Sequence, residues 1–250
     1  MRLHATVRSL LALALCGALI QGAHAQDEQA TRMRTALAAP ERSAENKARD
    51  AERKPIETVQ FFGIKTGDTA VDMIAVGGWF SEVLSAAVGP SGHVYSQNPP
   101  FIPESEPLKA LLKRLGNAEE VRVPLAQAGV VGKADAVVTA MNLHDIYNGY
   151  ANQPAGEPAA VDLLKAIYAA LKPGGVLGLI DHVGVAGQDN AKLHRMLPQQ
   201  ARDAITKAGF TIEAESKLLA NPADDHTKMV FDPAIRGHTD QFMYRARKPR

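Results

Sequence analysis

The stretch Thr69–Ser85 reads TAVDMIAVGGWFSEVLS and joins two apolar segments through the pair Gly77-Gly78. Its first part, Thr69–Ile74, is rich in β-branched residues and predicts a buried strand. Over Phe80–Val88 the apolar residues recur at helical spacing, and Gly89-Pro90 marks the end of that helix. A strand, a glycine turn and a helix in this order form the first part of a parallel βαβ unit.

The same alternation continues to the end of the chain. Apolar and β-branched runs predict further strands at His93–Ser96, Glu120–Val123, Asp135–Ala140, Val176–Ile180, Thr211–Leu219 and Thr239–Ala246. Amphipathic runs predict helices at Leu108–Leu115, Val161–Leu171 and Pro198–Ala208. Alternating strands and helices predict an α/β fold whose parallel sheet is covered on both faces. The last two strands have no helix between them, which predicts a hairpin-like pair that ends in an antiparallel strand.

The segment before Thr69 has a different character. Residues 26–39 are small and polar and predict a loose arm. Pro40–Arg53 is rich in helix formers but has almost no apolar stripe, which predicts a surface helix or an ordered arm. Pro55 can open a further short helix, which Gly63 would end.

The first 25 residues have the pattern of a secretory signal peptide. Arg2 and Arg8 accompany the apolar run Leu10–Ile20, and Ala23-His24-Ala25 is a small-x-small cleavage site. The run is shorter than the roughly 20 residues of a membrane-spanning helix. We therefore expect cleavage near Ala25 and a location in the periplasm or outside the cell. An uncleaved anchor is one alternative, and a lipoprotein processed at Cys16 is another.

The composition narrows the classes of partner and chemistry. Cys16 is the only cysteine and lies in the predicted signal peptide, so the mature chain would hold no disulfide, thiolate nucleophile or cysteine metal ligand. Without Arg2 and Arg8 the 28 basic residues fall to 26, against 27 acidic ones. A nearly neutral chain predicts no nucleic-acid partner and no stable membrane insertion after cleavage. We expect a small-molecule substrate, and the oligomeric state stays open.

Two stretches resemble class I S-adenosylmethionine (SAM)-dependent methyltransferases. Thr69–Ser85 resembles the first strand, glycine loop and first helix of that family. Ala170–His182, which reads ALKPGGVLGLIDH, resembles its fifth strand with the preceding turn. The resemblance implies a Rossmann-like sheet of seven strands in the order 3-2-1-4-5-7-6, with strand seven antiparallel. It covers about Pro55–Pro249, so together with the predicted signal peptide the chain divides into 1–25 as signal peptide, 26–54 as helical arm and 55–250 as methyltransferase-like domain.

A closer resemblance is to a group of exported bacterial proteins that are predicted methyltransferases. The shared motifs are Arg53-Lys54-Pro55, Gly77-Gly78-Trp79-Phe80, Leu143-His144-Asp145, Asp181-His182, Leu193-His194-Arg195 and Arg236–Asp240. This resemblance implies an exported methyltransferase.

The resemblance places the cofactor SAM at the carboxyl ends of the first strands, on Asp72, Ala75, Gly77, Gly78 and Asn98. The family pattern acid-x-Gly-x-Gly-x-Gly reads here with Ile74 and Val76 in place of its first two glycines. Both are β-branched and resist positive φ, so we expect the loop to differ locally or the ligand to lie differently. Asn98, or Gln97, stands where the family has an acid that holds the ribose, which predicts weaker binding.

Four polar residues follow two neighbouring strands. His144 and Asp145 come after the fourth strand, and Asp181 and His182 end the fifth. The carboxyl ends of parallel strands face one crevice, so we expect these side chains to meet there as the catalytic group. His144 or His182 would accept the proton of a methyl acceptor.

Other interpretations of these residues stay open. The same residues could bind zinc or a similar divalent ion, but no motif has close metal-ligand spacing, so no metal ligand is assigned. They could also serve only as helix caps and packing partners. His194 and Arg195 are predicted substrate contacts, with a surface ion pair as the alternative for Arg195. The leading hypothesis is a methyltransferase for a small acceptor in the cell envelope, and the other is a ligand- or metal-binding protein on the same scaffold.

Overall fold

The computed structural model describes residues 24–149 and 153–250. Most of the predicted signal peptide, residues 1–23, lies outside the described residues, so its cleavage stays a prediction. Within the described ranges, no helix combines the length and apolar character needed to cross a membrane.

A mixed sheet of seven strands forms the centre of the molecule, in the order β3-β2-β1-β4-β5-β7-β6. The strands are β1 Thr69–Met73, β2 His93–Gln97, β3 Ala118–Val121, β4 Ala134–Ala140, β5 Leu171–His182, β6 Thr211–Ser216 and β7 Gln241–Arg247. β1 to β5 pair in parallel, and β7 runs antiparallel to both β5 and β6. The predicted strand order and the antiparallel last strand are confirmed.

Helices cover both faces of the sheet. They are α1 at residues 24–38, α2 Ala44–Ala48, α3 Asp50–Arg53, α4 Pro55–Phe62, α5 Trp79–Val88, α6 Glu106–Leu115, α7 Leu143–Asn148, α8 Gly156–Ala170, α9 Asn190–Leu193 and α10 Pro198–Lys207. One core lies between the sheet and α7, α8 and α10, and contains Leu143, Leu164 and Ile205. The other lies under α1, α4 and α5, where Phe62 packs so closely over Gly178 that a Cβ there would lie 2.7 Å from its ring.

The predicted loose arm at residues 26–39 is wrong, because residues 24–38 form α1. Ala30, Met33 and Leu37 lie three and four residues apart and are buried in the core beside α5. The buried Gln29 amide donates to the carbonyls of Ile64 and Ala87 at 2.9 and 3.0 Å. The apolar pattern of this helix is weak in the sequence, because alanine and glutamine make up much of its buried face.

The following helices, α2 and α3, pack through polar groups instead of an apolar stripe. Arg42 is buried, and its guanidinium pairs with Glu82 of α5 and with Asp50 of α3. The indole N–H of Trp79 donates to the carbonyl of Asn46 at 3.1 Å. The segment is therefore fixed against the start of α5 and forms one side of the cavity described below.

Candidate functional site

A cavity of about 800 Å³ lies at the carboxyl ends of β1, β4 and β5. Its volume is within the range of small-molecule sites. Among the predicted site residues, Asp72, Ala75, Gly77, His144, Asp145 and His182 line it. Residues of the arm and of α6, including Asn46, Arg49, Arg53 and Arg114, also line it. The structure therefore brings the predicted cofactor loop and most of the predicted catalytic group to one hollow.

The loop after β1 keeps the backbone that glycines usually provide. φ is +57° at Ile74, +49° at Val76 and +76° at Gly78, so every second residue is left-handed. The two β-branched residues thus adopt positive φ despite their preference, and the alternative expectation, that the ligand lies differently, stays a prediction. Such residues rarely adopt this region, and each costs roughly 1–2 kcal/mol there. The Val76 side chain is 52% exposed, and both residues border the cavity without filling it.

Hydrogen bonds from β2 fix this loop in place. Asn98 Oδ1 accepts the backbone N–H of Val76 at 2.8 Å, and its amide group donates to Glu120 at 3.1 Å. The backbone N–H of Ala75 donates to the carbonyl of Gln97 at 3.0 Å. Asn98 is buried and is not among the residues that line the cavity. The structure thus places the predicted ribose ligand beneath the loop, as a support for Val76.

Gly78 has a packing role at the start of α5. It is the N-cap of that helix, and a Cβ at Gly78 would lie 2.5 Å from Leu108 and 2.9 Å from Leu111 of α6. A Cβ at Gly77, by contrast, would meet nothing within 4 Å, and this residue faces the cavity. Of this glycine pair, Gly77 is the one that a ligand can approach.

Asp72 lies at the floor of the cavity as a buried acid. Its Oδ2 accepts the hydroxyl of Ser81 at 2.6 Å, and Ser81 in turn accepts the hydroxyl of Ser96 at 2.6 Å. Burial raises the pKa of Asp72 to about 7, against the lowering effect of the Ser81 hydrogen bonds and of Arg53. At neutral pH this carboxyl therefore lies near the midpoint of its titration.

Arg53 provides a cation on the wall of the cavity. Its guanidinium lies 4.8 Å from the centre of the Trp79 ring. Burial and the neighbouring Arg49 lower the pKa of Arg53 to about 10, so it stays charged at neutral pH. Among the described residues no carboxylate forms an ion pair with it, and its one hydrogen-bond contact is the sulfur of Met141 at 4.0 Å. The charge is available to an anionic group in the cavity.

The predicted catalytic residues meet around Asp181. Asp181 Oδ1 lies 2.6 Å from His144 Nδ1, and Oδ2 accepts the backbone N–H of His144 at 2.9 Å. Burial alone would raise the pKa of Asp181, but His144 holds it below its usual value. Burial lowers the pKa of His144, yet the carboxylates of Asp181 and Asp145 outweigh it and raise the value to about 10. His144 and Asp181 are therefore a charged pair with a fixed geometry.

His182 is in a different protonation state from His144. Its Nδ1 lies 2.8 Å from the hydroxyl of Thr239, and the ring centres of His182 and His144 are 5.5 Å apart. Burial lowers the pKa of His182 to about 3, although Asp181 works against this shift. The imidazole of His182 is accordingly neutral at pH 7 and faces the same cavity.

His194 lies next to Asp145, as an extension of the predicted group. Its Nδ1 is 2.9 Å from Asp145 Oδ1, and its ring packs edge-on against Phe231 at 5.0 Å. His194 has φ of +54° at the end of α9, which turns the chain sharply at this point. The proximity of His194 to Asp145 links the segment after β5 to α7.

Arg195 is not a substrate contact, and the alternative of a surface ion pair is also wrong. The side chain is fully buried and forms a two-point ion pair with Asp224 at 2.9 and 3.0 Å. Its remaining N–H groups donate to the carbonyls of Val183 and Lys228. No N–H is left for a substrate, and the pair joins β5 and its following segment to the loop before β7.

Several residues of the site carry no assignment from the sequence. The arm residues of the wall, Asn46 and Arg49, belong to no motif, because their position depends on how the arm packs. Thr239 and Phe231 come from the loop before β7, which returns to the cavity only in the folded chain. The motif Arg236–Asp240 is the one sequence signal near them.

Comparisons with known proteins identify the fold. No family model matches the chain, and no curated protein shows significant similarity to it. Solved structures do match. A SAM-dependent methyltransferase from Aquifex aeolicus is 17% identical, with a TM-score of 0.55 over 80% of this chain and 92% of the other. The fold is therefore that of the class I SAM-dependent methyltransferases.

Two further structures show the range of that fold. The Burkholderia thailandensis 1,6-didemethyltoxoflavin-N1-methyltransferase, with bound 1,6-didemethyltoxoflavin and S-adenosylhomocysteine, is 15% identical, with a TM-score of 0.53 over 98% of this chain and 90% of the other. The 4+2 cyclase SpnF is 18% identical, with a TM-score of 0.56 over 80% and 81% of the two chains. At these identities the likeness establishes the fold, and the function must be argued from the cavity.

Proposed function

We propose that this chain is a SAM-dependent methyltransferase that acts on a small acceptor in the cavity. The observation that carries the proposal is the backbone of Ile74, Val76 and Gly78, which keeps the left-handed pattern of a glycine loop despite its cost. Strained backbone persists where the surrounding structure enforces it, and such places cluster at ligand sites. Here the strained loop borders the cavity of about 800 Å³.

The residues around the cavity fit SAM in charge and shape. Gly77 leaves open space for the close approach of a ligand, and the side chain of Ala75, which also lines the cavity, is only a methyl group. Arg53 offers an unpaired cation to the carboxylate of the amino-acid part. Asp72 and the polar groups of the arm could accept hydrogen bonds from its amino group. When bound, SAM would supply an electrophilic methyl group.

The chain's own side chains would position the acceptor and take its proton. Methyl transfer to an oxygen or nitrogen releases a proton, which a neutral imidazole can accept. His182 is neutral at pH 7, whereas His144 carries a charge beside Asp181. We assign the proton acceptor to His182 because it is the neutral imidazole of the two, although a pKa of about 3 makes it a weak base. Thr239 orients its ring. Asp181 would hold His144 in place, and Asp145 would contact the acceptor.

A calorimetric titration of the purified mature chain tests the binding step. We expect both SAM and S-adenosylhomocysteine to bind, and Arg53→Gln to weaken both about 10- to 150-fold, since one charge-assisted contact is worth roughly 1.5–3 kcal/mol. Arg34→Gln, at an exposed arginine on α1, is the matched control and should bind like the original chain. A folded protein that releases no heat at millimolar ligand would remove the proposal.

The transfer step needs a separate experiment. The chain would be incubated with methyl-labelled SAM and a small-molecule extract of the cell envelope, and labelled products would be identified by mass spectrometry. We expect labelled product with the original chain, and none with His182→Asn, which should still bind SAM. Binding without any transfer would favour the second candidate function.

That second candidate is a protein of another activity on the same scaffold. The bulk of Ile74 and Val76 in the loop favours this candidate. Asn98 also favours it, because its Oδ1 accepts the Val76 N–H and the residue does not line the cavity where a ribose would bind. The cyclase named above has this fold without being named a methyltransferase. Mass spectrometry of a co-purified ligand separates the two candidates, because the second predicts a molecule other than SAM or its demethylated product.

The proposed location is the periplasm or the exterior of the cell. The support is the sequence pattern of Met1–Ala25, whose greater part lies outside the described residues. N-terminal sequencing of the chain from a periplasmic fraction should begin at Gln26. Recovery of the intact N-terminus from the cytosol would contradict export.

A further inference from the structure

Three side chains beside the cavity, His144, Asp145 and His194, form a cluster that we name the His–Asp–His cluster. One potential ligand atom from each lies within 4.8 Å of the other two. Asp145 Oδ1 is 3.2 Å from His144 Nε2 and 2.9 Å from His194 Nδ1. Two ligands of a tetrahedral zinc ion, each at about 2.1 Å, are about 3.4 Å apart. We propose that this cluster binds a divalent transition-metal ion.

A buried nitrogen with incomplete hydrogen bonding gives further support. His144 Nε2 is buried and makes no well-formed hydrogen bond among the described residues, and its nearest acceptor is Asp145 Oδ1 at 3.2 Å. The residue is only 2% exposed. A buried nitrogen without a partner costs free energy, so native structures rarely leave one. A metal ion between His144, Asp145 and His194 would displace the proton of Nε2 and bind its lone pair, so binding releases a proton.

The surroundings of His144 match those of a metal-binding histidine. Such a ligand usually donates its second ring N–H to a carboxylate, which fixes its tautomer and orientation. Asp181 Oδ1 lies 2.6 Å from His144 Nδ1, and Asp181 also accepts the backbone N–H of the same residue. Nδ1 is thereby committed to a carboxylate, and Nε2 is left directed at Asp145.

The donor set defines the ion and its coordination. Two imidazole nitrogens and one carboxylate oxygen suit zinc and neighbouring transition metals better than magnesium or calcium. Three protein ligands leave a fourth position open, as in catalytic zinc sites. His144 and Asp145 both line the cavity, so the open position would face a ligand there. His182 is not a member of this set.

The proposal goes beyond methyl transfer, and a metal alone tests it. Untagged protein is stripped with a chelator and titrated with Zn²⁺ by calorimetry, and with Co²⁺ by absorption spectroscopy. We expect one ion per chain, and for Co²⁺ the visible bands of a low-coordinate site with nitrogen and oxygen ligands. Absence of binding, or binding of several ions without saturation, would overturn the proposal.

Variants then locate the site. His194→Ala and Asp145→Asn remove partly exposed ligands and should each weaken binding at least about 100-fold, because one of three protein ligands is lost. Asp181→Asn keeps the ligands and should weaken it about 10- to 100-fold, the usual effect of changing such a supporting carboxylate. Circular dichroism confirms that each variant is folded.

The control variant is His93→Ala, which removes a half-buried histidine of β2 that lies 3.0 Å from Glu119 and outside the cluster. It should bind the metal like the original chain. Loss of binding in His93→Ala, or unchanged binding in His194→Ala and Asp145→Asn, would show that the ion binds elsewhere and overturn the assignment. Titration with SAM is measured separately, so failure of either function is recognised on its own.

Discussion

Val76 shows most clearly what the loop after β1 costs. Its φ is +49°, its side chain is 52% exposed, and the backbone N–H is held by Asn98. An exposed side chain gains little from burial, so nothing about Val76 itself offsets the left-handed strain. The strain is instead maintained by the hydrogen bonds that β2 makes to the loop.

Val76→Gly should therefore stabilise the chain. Glycine relieves roughly 1–2 kcal/mol of left-handed strain in the folded chain. The greater freedom of glycine in the unfolded chain offsets part of this effect, so we expect a net stabilisation of about 1 kcal/mol. Denaturant unfolding of both proteins measures the difference. Val185→Gly, at another exposed valine without positive φ, should destabilise. A loss of stability in both variants would show that the loop is not strained.

Asp72 predicts a pH dependence of stability. Its pKa is about 7 in the folded chain and near 4 when unfolded, so folding favours the protonated form. That contribution is fully present below pH 4 and is lost as the pH rises through 7. Asp72→Asn keeps an acceptor for Ser81 and cannot ionise. The variant should gain on the order of 2 kcal/mol relative to the original chain between pH 5 and pH 8.

Unfolding midpoints of the two proteins at both pH values give this quantity, because all other titrating groups cancel in the difference. An equal stability difference at pH 5 and pH 8 would show that Asp72 keeps an ordinary pKa.

At the scale of elements, α1 is part of the core and not an attached arm. Met33 has no exposed surface and packs beside α5. Met33→Ala should cost about 2–4 kcal/mol of unfolding free energy, as other deletions of buried side chains do. Arg34→Ala, on the exposed side of the same helix, should change stability by less than about 0.5 kcal/mol. Small and equal losses of stability in both variants would show that α1 is the loose arm that its composition suggests.

The ion pair of Arg195 with Asp224 joins two segments that frame the cavity. Both side chains are fully buried, so removal of one partner leaves an uncompensated charge. Asp224→Asn should destabilise by about 3–5 kcal/mol, and the double variant with Arg195→Met by less than the sum of the two single effects. Arg202→Met removes an exposed pair with Glu215 and should cost less than about 1 kcal/mol.

The elements of the sheet were predictable because their signals are local. Apolar β-branched runs such as Val176–Ile180 can be covered only by helices on both faces, and that requirement fixes a parallel arrangement. The ends of the strands were less predictable. β5 begins at Leu171 and therefore includes the residues before Val176, which the sequence predicts as a turn. Within them Gly174 adopts φ of +79°, and its N–H donates to the carbonyl of Lys248, just after β7.

The site was predictable to the extent that strand ends determine it. His144, Asp145, Asp181 and His182 meet because parallel strands place their carboxyl ends at one edge. The contact of His194 with Asp145 and the burial of Arg195 depend on how the segment after β5 folds back, and no local pattern encodes that. The backbone of Ile74 and Val76 was also unpredictable, because it opposes their intrinsic preference and is imposed by Asn98 and Gln97 from another strand.

At the scale of the whole molecule, the sheet, the arm and the loop before β7 enclose one hollow. The strained loop, Arg53 and two members of the His–Asp–His cluster, His144 and Asp145, all border it. The two proposals therefore share His144 and Asp145, and they are tested separately because one is measured with SAM and the other with a metal ion alone.

A crystal structure of the mature chain with S-adenosylhomocysteine tests the central claim most directly. We predict ligand density against Ala75 and Gly77, with its carboxylate within hydrogen-bond distance of Arg53 and with Ile74 and Val76 still at positive φ. Density elsewhere on the surface, or a loop whose β-branched residues have moved to negative φ and closed the hollow, would contradict the account.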